Sequence, residues 1–243
     1  ALPRDRPFFY VQHGAPAGTI GANPSATLSG CSQYLKNYPN CIALSGHSHD
    51  SITLGDQTWQ GDFLSLGCGC LQYLWNREGR DNSWNLASGQ IGHAVRCSSG
   101  GHQGMFLTIE ENRIVIERWD IANDEKVGPD HVFPRDGTKP YSFEAQRARA
   151  VAPQFPQGAT AAVSERDFHD RSSGEKWTDE RQVIVTVPRA ARCDADEGRV
   201  YEYECVVYTD AGGEANPLIV RKVLAASWFL NDARVEAETI IAF

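Results

Sequence analysis

Two histidines placed two residues apart, His47 and His49, close the stretch Cys41 to His49, CIALSGHSH. Imidazole binds zinc and other borderline transition ions and carries protons near neutral pH. The apolar run Ile42-Ala43-Leu44 ends at Ser45-Gly46 and hands both side chains to a turn. A buried strand that fixes ligands beside an accessible loop suits a metal site. A surface turn that carries two histidines is the other reading of the same nine residues, because His-x-His alone is a short motif. His13 adds a third imidazole in a similar setting, directly after the aromatic and β-branched run Pro7 to Gln12, PFFYVQ.

The elements between these sites decide whether the three can meet. Ser25 to Lys36 places Leu28, Cys31, Tyr34 and Leu35 at helical spacing, with Ser25 as N-cap, and Asn37-Tyr38-Pro39-Asn40 breaks the pattern before the next strand. Strand, helix, strand implies a right-handed crossover, parallel strands, and both strand ends on one edge of the sheet. His13, His47 and His49 are therefore expected to converge although 34 residues separate the first two. His93 and His102 lie in glycine-rich loops that could face the same site, as weaker candidates for substrate contact; His131 and His169 rank below them, and Asp50 could orient an imidazole.

Downstream, Ser51 to Leu54 and Thr58 to Leu66 read as strands, and Cys68-Gly69-Cys70 as small packing residues on one strand face. Leu71 to Cys97 reads as an insertion or lid that would set specificity. Gly104 to Ile109 and Arg113 to Ile121 alternate as a hairpin about Glu110-Glu111-Asn112. Near residue 128 the composition turns to Pro and Gly, with a helical patch at Phe143 to Val151. Five strand candidates follow, Ala159–Ser164, Gln182–Val187, Val200–Thr209, Leu218–Phe229 and Arg234–Ile241, with Asp167-Phe168-His169 in a polar loop between the first two.

With 23 basic against 31 acidic residues and a net charge of -8, the chain has no basic footprint for nucleic acid. No stretch approaches the roughly eighteen apolar residues of a membrane span, so a soluble protein is expected. The opening residues ALPRDRPFF lack a signal-peptide layout. The compartment is left unassigned, periplasmic or secreted being open should a signal lie upstream. Seven cysteines, an odd number, fix neither pairing nor compartment.

Taken in order, PFFYVQH, NYPNCIALSGHSH and TWQGDF resemble the C-terminal part of the calcineurin-like metallophosphoesterases. There, a histidine after one strand and a Gly-His-x-His after the next close a two-metal site. QGMFLTIEENRIVIERWDI resembles the closing hairpin of that catalytic fold, and APQFPQGA, VTVP and VYEYECVV resemble the all-β domain appended in a bacterial branch. The resemblance implies an α+β, mostly β chain. Residues 1–138 would be the C-terminal half of a two-sheet α/β fold, 139–157 a linker with a short helix, and 158–243 a small antiparallel β-sandwich.

By the same resemblance, His13 and His47 would bind one metal and His49 a second, for hydroxide attack on a phosphate ester. Two divalent ions (Zn, Fe, Mn or Co) are implied for a complete parent. The family's Asp-x-His, Gly-Asp-x-x-Asp and Gly-Asn-His-Asp/Glu segments have no counterpart in the twelve residues before His13. At most one ion and no catalytic residue are therefore expected on this chain, which should be silent alone unless the missing half is supplied in trans. The alternative from another class is a non-catalytic binding or scaffolding β-domain.

Overall fold

The computed structural model describes residues 2–21, 27–28, 30–80, 82–83, 92, 94–96, 101–169, 176–190, 199–208, 217–231, 234–236 and 238–243. The chain is mostly β, in several open sheets. β1 spans Phe8–Gln12, β2 Ala15–Pro16 and β3 Thr27–Leu28; one helical turn, α1 at Ser32–Leu35, precedes β4 at Cys41–Ser45. Then come β5 (Thr58–Gln60), β6 (Leu64–Gly67), β7 (Tyr73–Trp75) and β8 (Ala94–Arg96). β9 (Gln103–Ile109), β10 (Arg113–Asp120), β11 (Glu125–Lys126) and β12 (His131–Pro134) lead to α2 at Phe143–Arg149. The remaining strands are β13 (Ala162–His169), β14 (Lys176–Pro188), β15 (Glu202–Tyr208), β16 (Pro217–Leu224) and β17 (Glu238–Ala242).

The first sheet runs β1-β4-β6-β5, with β1, β4 and β6 parallel and in register: Gln12 lies opposite Ser45, and Ser45 opposite Gly67. β4 is buried on both faces, which explains its unbroken apolar run. Ile42, Leu64 and Leu66 face Ile114, Ile116 and Phe133 of a second sheet built by β9, β10, β11 and β12. On the opposite face, Cys41, Ala43 and Phe63 pack with Leu35. In β10 every second residue is buried, as alternation demands of a strand with one covered face. α2 starts where the Ser142 hydroxyl accepts from the Ala145 N–H, and Arg147 and Arg149 sit in its last turn.

Four expectations change. The helix expected over Ser25 to Lys36 shrinks to α1, and Thr27–Leu28 instead pairs in parallel with β2. Apolar spacing identified the packing residue Leu35, but a segment rich in Ser, Thr and Gly adds little helix propensity of its own. Thr58 to Leu66 is two antiparallel strands rather than one, bent at Gly61, where any Cβ would strike the Trp59 ring. Ser51 to Leu54 is a turn leading into a short 3-10 segment, and Cys68-Gly69-Cys70 is no strand, because Gly69 adopts a left-handed φ of 73°.

All five C-terminal strands form. β13, β14 and β17 make one sheet and β15 and β16 another, and Val185, Ile241, Tyr203 and Val223 share a core between them. A further cluster joins Leu74 of β7 to Leu224 and the fully buried Trp228. Asp167-Phe168-His169 lies on β13, at an irregularity in its pairing with β14, rather than in a loop. Among the described residues no helix is long and apolar enough to cross a membrane.

Candidate metal centre

The parallel register sets the site. His13 and Gly46 each follow the last residue of a strand, and the ladder continues past the strand ends: the Gly46 N–H donates to the His13 carbonyl at 3.1 Å, and the Cys68 N–H to the Ser45 carbonyl at 2.8 Å. The His13 ring lies over Gly46, where a Cβ would make ordinary contact with its Nδ1 at 4.0 Å. His47 then turns back so that its Nδ1 faces His13 Nε2 at 2.7 Å, with the rings edge to face at 4.6 Å. At this distance the contact is one ring N–H facing the other ring's lone pair.

His47 and His49 both adopt left-handed backbone, with φ of 63° and 54°. For a side chain with a Cβ this conformation costs about 1–2 kcal/mol, and strain of this kind concentrates at functional sites. One turn sets the His47 ring against His13 and the other sets the His49 ring against Tyr73. Burial pushes the His49 imidazole below its ordinary value, and the neighbouring His47 and His13 push the same way while the Tyr73 carbonyl opposes them. A neutral His49 at neutral pH is a competent ligand, and its buried Nδ1 has no hydrogen-bond partner. The Tyr73 ring covers it at 4.4 Å, and the Trp75 N–H holds the His49 carbonyl at 2.8 Å.

Asp50 turns away from the imidazoles. Its buried carboxylate accepts from Gln57 Nε2 at 3.1 Å and pairs with Arg77 at 3.3 Å, while Arg77 also pairs with Asp56 at 2.7 Å. Burial pushes the Asp50 carboxyl up to about 6, against the pull of Arg77. These bonds tie the histidine loop to Gly21, whose carbonyl accepts from Arg77 at 3.0 Å.

The structure brings His13 and His47 into contact, while the His49 ring, two residues on, lies against Tyr73. His102 flanks the same loop, since its neighbour Gln103 accepts from the Ile52 N–H at 2.8 Å, and His102 Nδ1 is buried without a partner. His93 lies outside the described residues. His131 is a core residue, stacked on Tyr141 at 4.4 Å and 3.3 Å from the Thr58 hydroxyl. Tyr73 and Arg77 were missed by sequence reasoning; the alternation Tyr73-Leu74-Trp75 was the available signal for a strand crossing the site.

As a fit for a metal, the donor set is two imidazole nitrogens in hydrogen-bond contact at 2.7 Å, which would have to part to roughly 3.3 Å to share one tetrahedral ion, a third imidazole near them, and exposed His13 and His47 rings that leave an approach for water. Among the described residues no three His, Cys, Asp or Glu side chains stand together in ligating geometry. The two imidazoles in contact, His13 and His47, would be the residues to hold one borderline ion if their rings opened slightly, with His49 next to them in sequence. Compared with protein-family models, curated proteins and solved structures, the chain finds no match.

Proposed function

We propose that this chain carries the histidine side of a metal-dependent phosphoester hydrolase centre of the calcineurin-like kind, on the C-terminal half of its two-sheet fold with an appended β-sandwich. One observation carries the reading: the 2.7 Å approach of His13 and His47 from the ends of adjacent, in-register parallel strands. A divalent ion there supplies Lewis acidity and a hydroxide at neutral pH. His13 and His47 would hold it, and His49, kept neutral by burial, would be available to a second ion. The exposed rim admits a phosphate ester.

Carboxylate or amide donors complete such a centre, and β1 offers the place from which they arrive. It is the edge strand of its sheet, so a strand added parallel to it would end level with Gln12 and set its next residue roughly 5 Å from His13. Its inter-sheet face is uncovered too, with Phe9 50% and Val11 73% exposed beside the buried Ile42 of β4. The scaffolding alternative needs a self-contained β-domain, whereas Leu224 and Trp228 are buried against Leu74.

Titration of the purified chain with Co²⁺, followed by visible absorption, is expected to show about one ion per chain, lost in His13→Ala and His47→Ala, and no metal-stimulated hydrolysis of an aryl phosphate. Absence of any histidine-dependent ion sinks the metal reading. Hydrolysis abolished by His47→Ala would overturn the dependence on added donors.

A further inference from the structure

The loop that follows the histidines is held from the far end of the chain. Ser51 Oγ donates to the Trp228 carbonyl at 3.0 Å, and the Thr53 hydroxyl donates to the same oxygen. Between them, the Ile52 N–H donates to Gln103 Oε1 at 2.8 Å, and Gln103 Nε2 donates onward to the Phe229 carbonyl at 2.9 Å. Trp228 is 1% exposed, and Leu74, against which it packs, sits between the residue that covers His49 and the residue that holds its carbonyl. Five consecutive positions, His49 to Thr53, are therefore fixed by backbone and side-chain bonds, two of them through one carbonyl oxygen of the C-terminal part.

We propose that the segment Ala225–Leu230 is a positioning element for the metal loop, using the Trp228 and Phe229 carbonyls to hold His49 in its left-handed geometry. This rests on the metal reading above. The physical reason is direct: a strained turn persists only where its surroundings over-determine it, and these bonds supply that constraint from outside the loop. Ser51, Thr53 and Gln103 act through His49 and touch no ion themselves.

The test compares Ser51→Ala/Thr53→Val, which removes both hydroxyls at nearly constant volume, with Asn82→Ala. The latter breaks the paired 2.9 Å bonds between Asn82 and the Leu224 backbone, loosening the same interface away from the loop. Two readouts are taken: Co²⁺ affinity and amide hydrogen exchange over residues 46–50. The double variant is expected to bind Co²⁺ about tenfold more weakly and to exchange about tenfold faster there, as loss of one to two hydrogen bonds implies. Asn82→Ala should leave both within about twofold at a similar fall in Tm.

Equal weakening in Asn82→Ala, or wild-type exchange in the double variant, overturns the proposal. If wild type binds no Co²⁺, the metal reading fails while the exchange comparison still decides the positioning. Should the double variant fail to fold, Thr53→Val alone carries the same comparison.

Discussion

At the scale of the residue, His47 holds an unfavourable backbone conformation while exposed to solvent, so its geometry is not maintained by burial of its own ring. His47→Gly should therefore raise stability by about 0.5–1 kcal/mol in urea denaturation while abolishing metal binding, the trade expected where strain serves a site. Unchanged or lowered stability would count against strain at this position. Asp50 gives a second test. Its carboxyl is raised to about 6 by burial, so the folded state holds a proton that the unfolded chain releases near pH 4. The associated stability is fully present below the unfolded value and is lost as pH rises through about 6. Asp50→Asn should flatten the urea midpoint between about pH 4 and about pH 7, and a curve of wild-type shape would show that another group sets it. The meeting of His13 and His47 was legible in the sequence because strand-then-glycine patterns announce where a loop begins. The fate of Asp50 was not, because its partners Gln57 and Arg77 arrive from a turn and from beyond β7, and no local pattern encodes that meeting.

At the scale of the element, the parallel pair β1 and β4 was readable from two apolar runs and an intervening crossover, and its register is what turns two separated histidines into neighbours. The crossover itself was misread as a long helix. Its apolar positions reported real packing by Leu35, yet Thr27–Leu28 found a strand partner in Ala15–Pro16 that only tertiary structure supplies. β5 and β6 were read as one strand for a related reason: a two-residue period continues through a tight bend, and only the Trp59 ring reveals why Gly61 is required. The uncovered face of β1 makes its own prediction. Val11 is 73% exposed on an edge strand, which is an association hazard. Val11→Lys should reduce concentration-dependent light scattering while changing stability by less than about 0.5 kcal/mol; a larger loss of stability would mean that this face is covered in solution.

At the scale of the whole molecule, the strand count after residue 158 was legible from alternation and turn residues, whereas the contact of those strands with the histidine loop was not. Trp228 falls in a run that reads locally as the end of a strand, and its role depends on Leu74, 154 positions earlier. The two parts are thus joined twice, once by the chain and once by a shared core. The covalent join is the weaker one: residues 150–160 are exposed throughout, with Phe155 itself 52% exposed. Brief protease treatment is expected to cut there first. The halves should nevertheless elute as a single particle in size exclusion, because Leu74, Leu224 and Trp228 remain buried against one another and Arg199 still bridges the Ser227, Leu230 and Val127 carbonyls. Separation of the fragments under native conditions would show that the shared core is not self-sufficient. A nicked protein that stays whole would make continuity of the polypeptide dispensable between residues 150 and 160, and that segment the natural place to open the chain for a permuted sequence or to insert a reporter without touching the histidines.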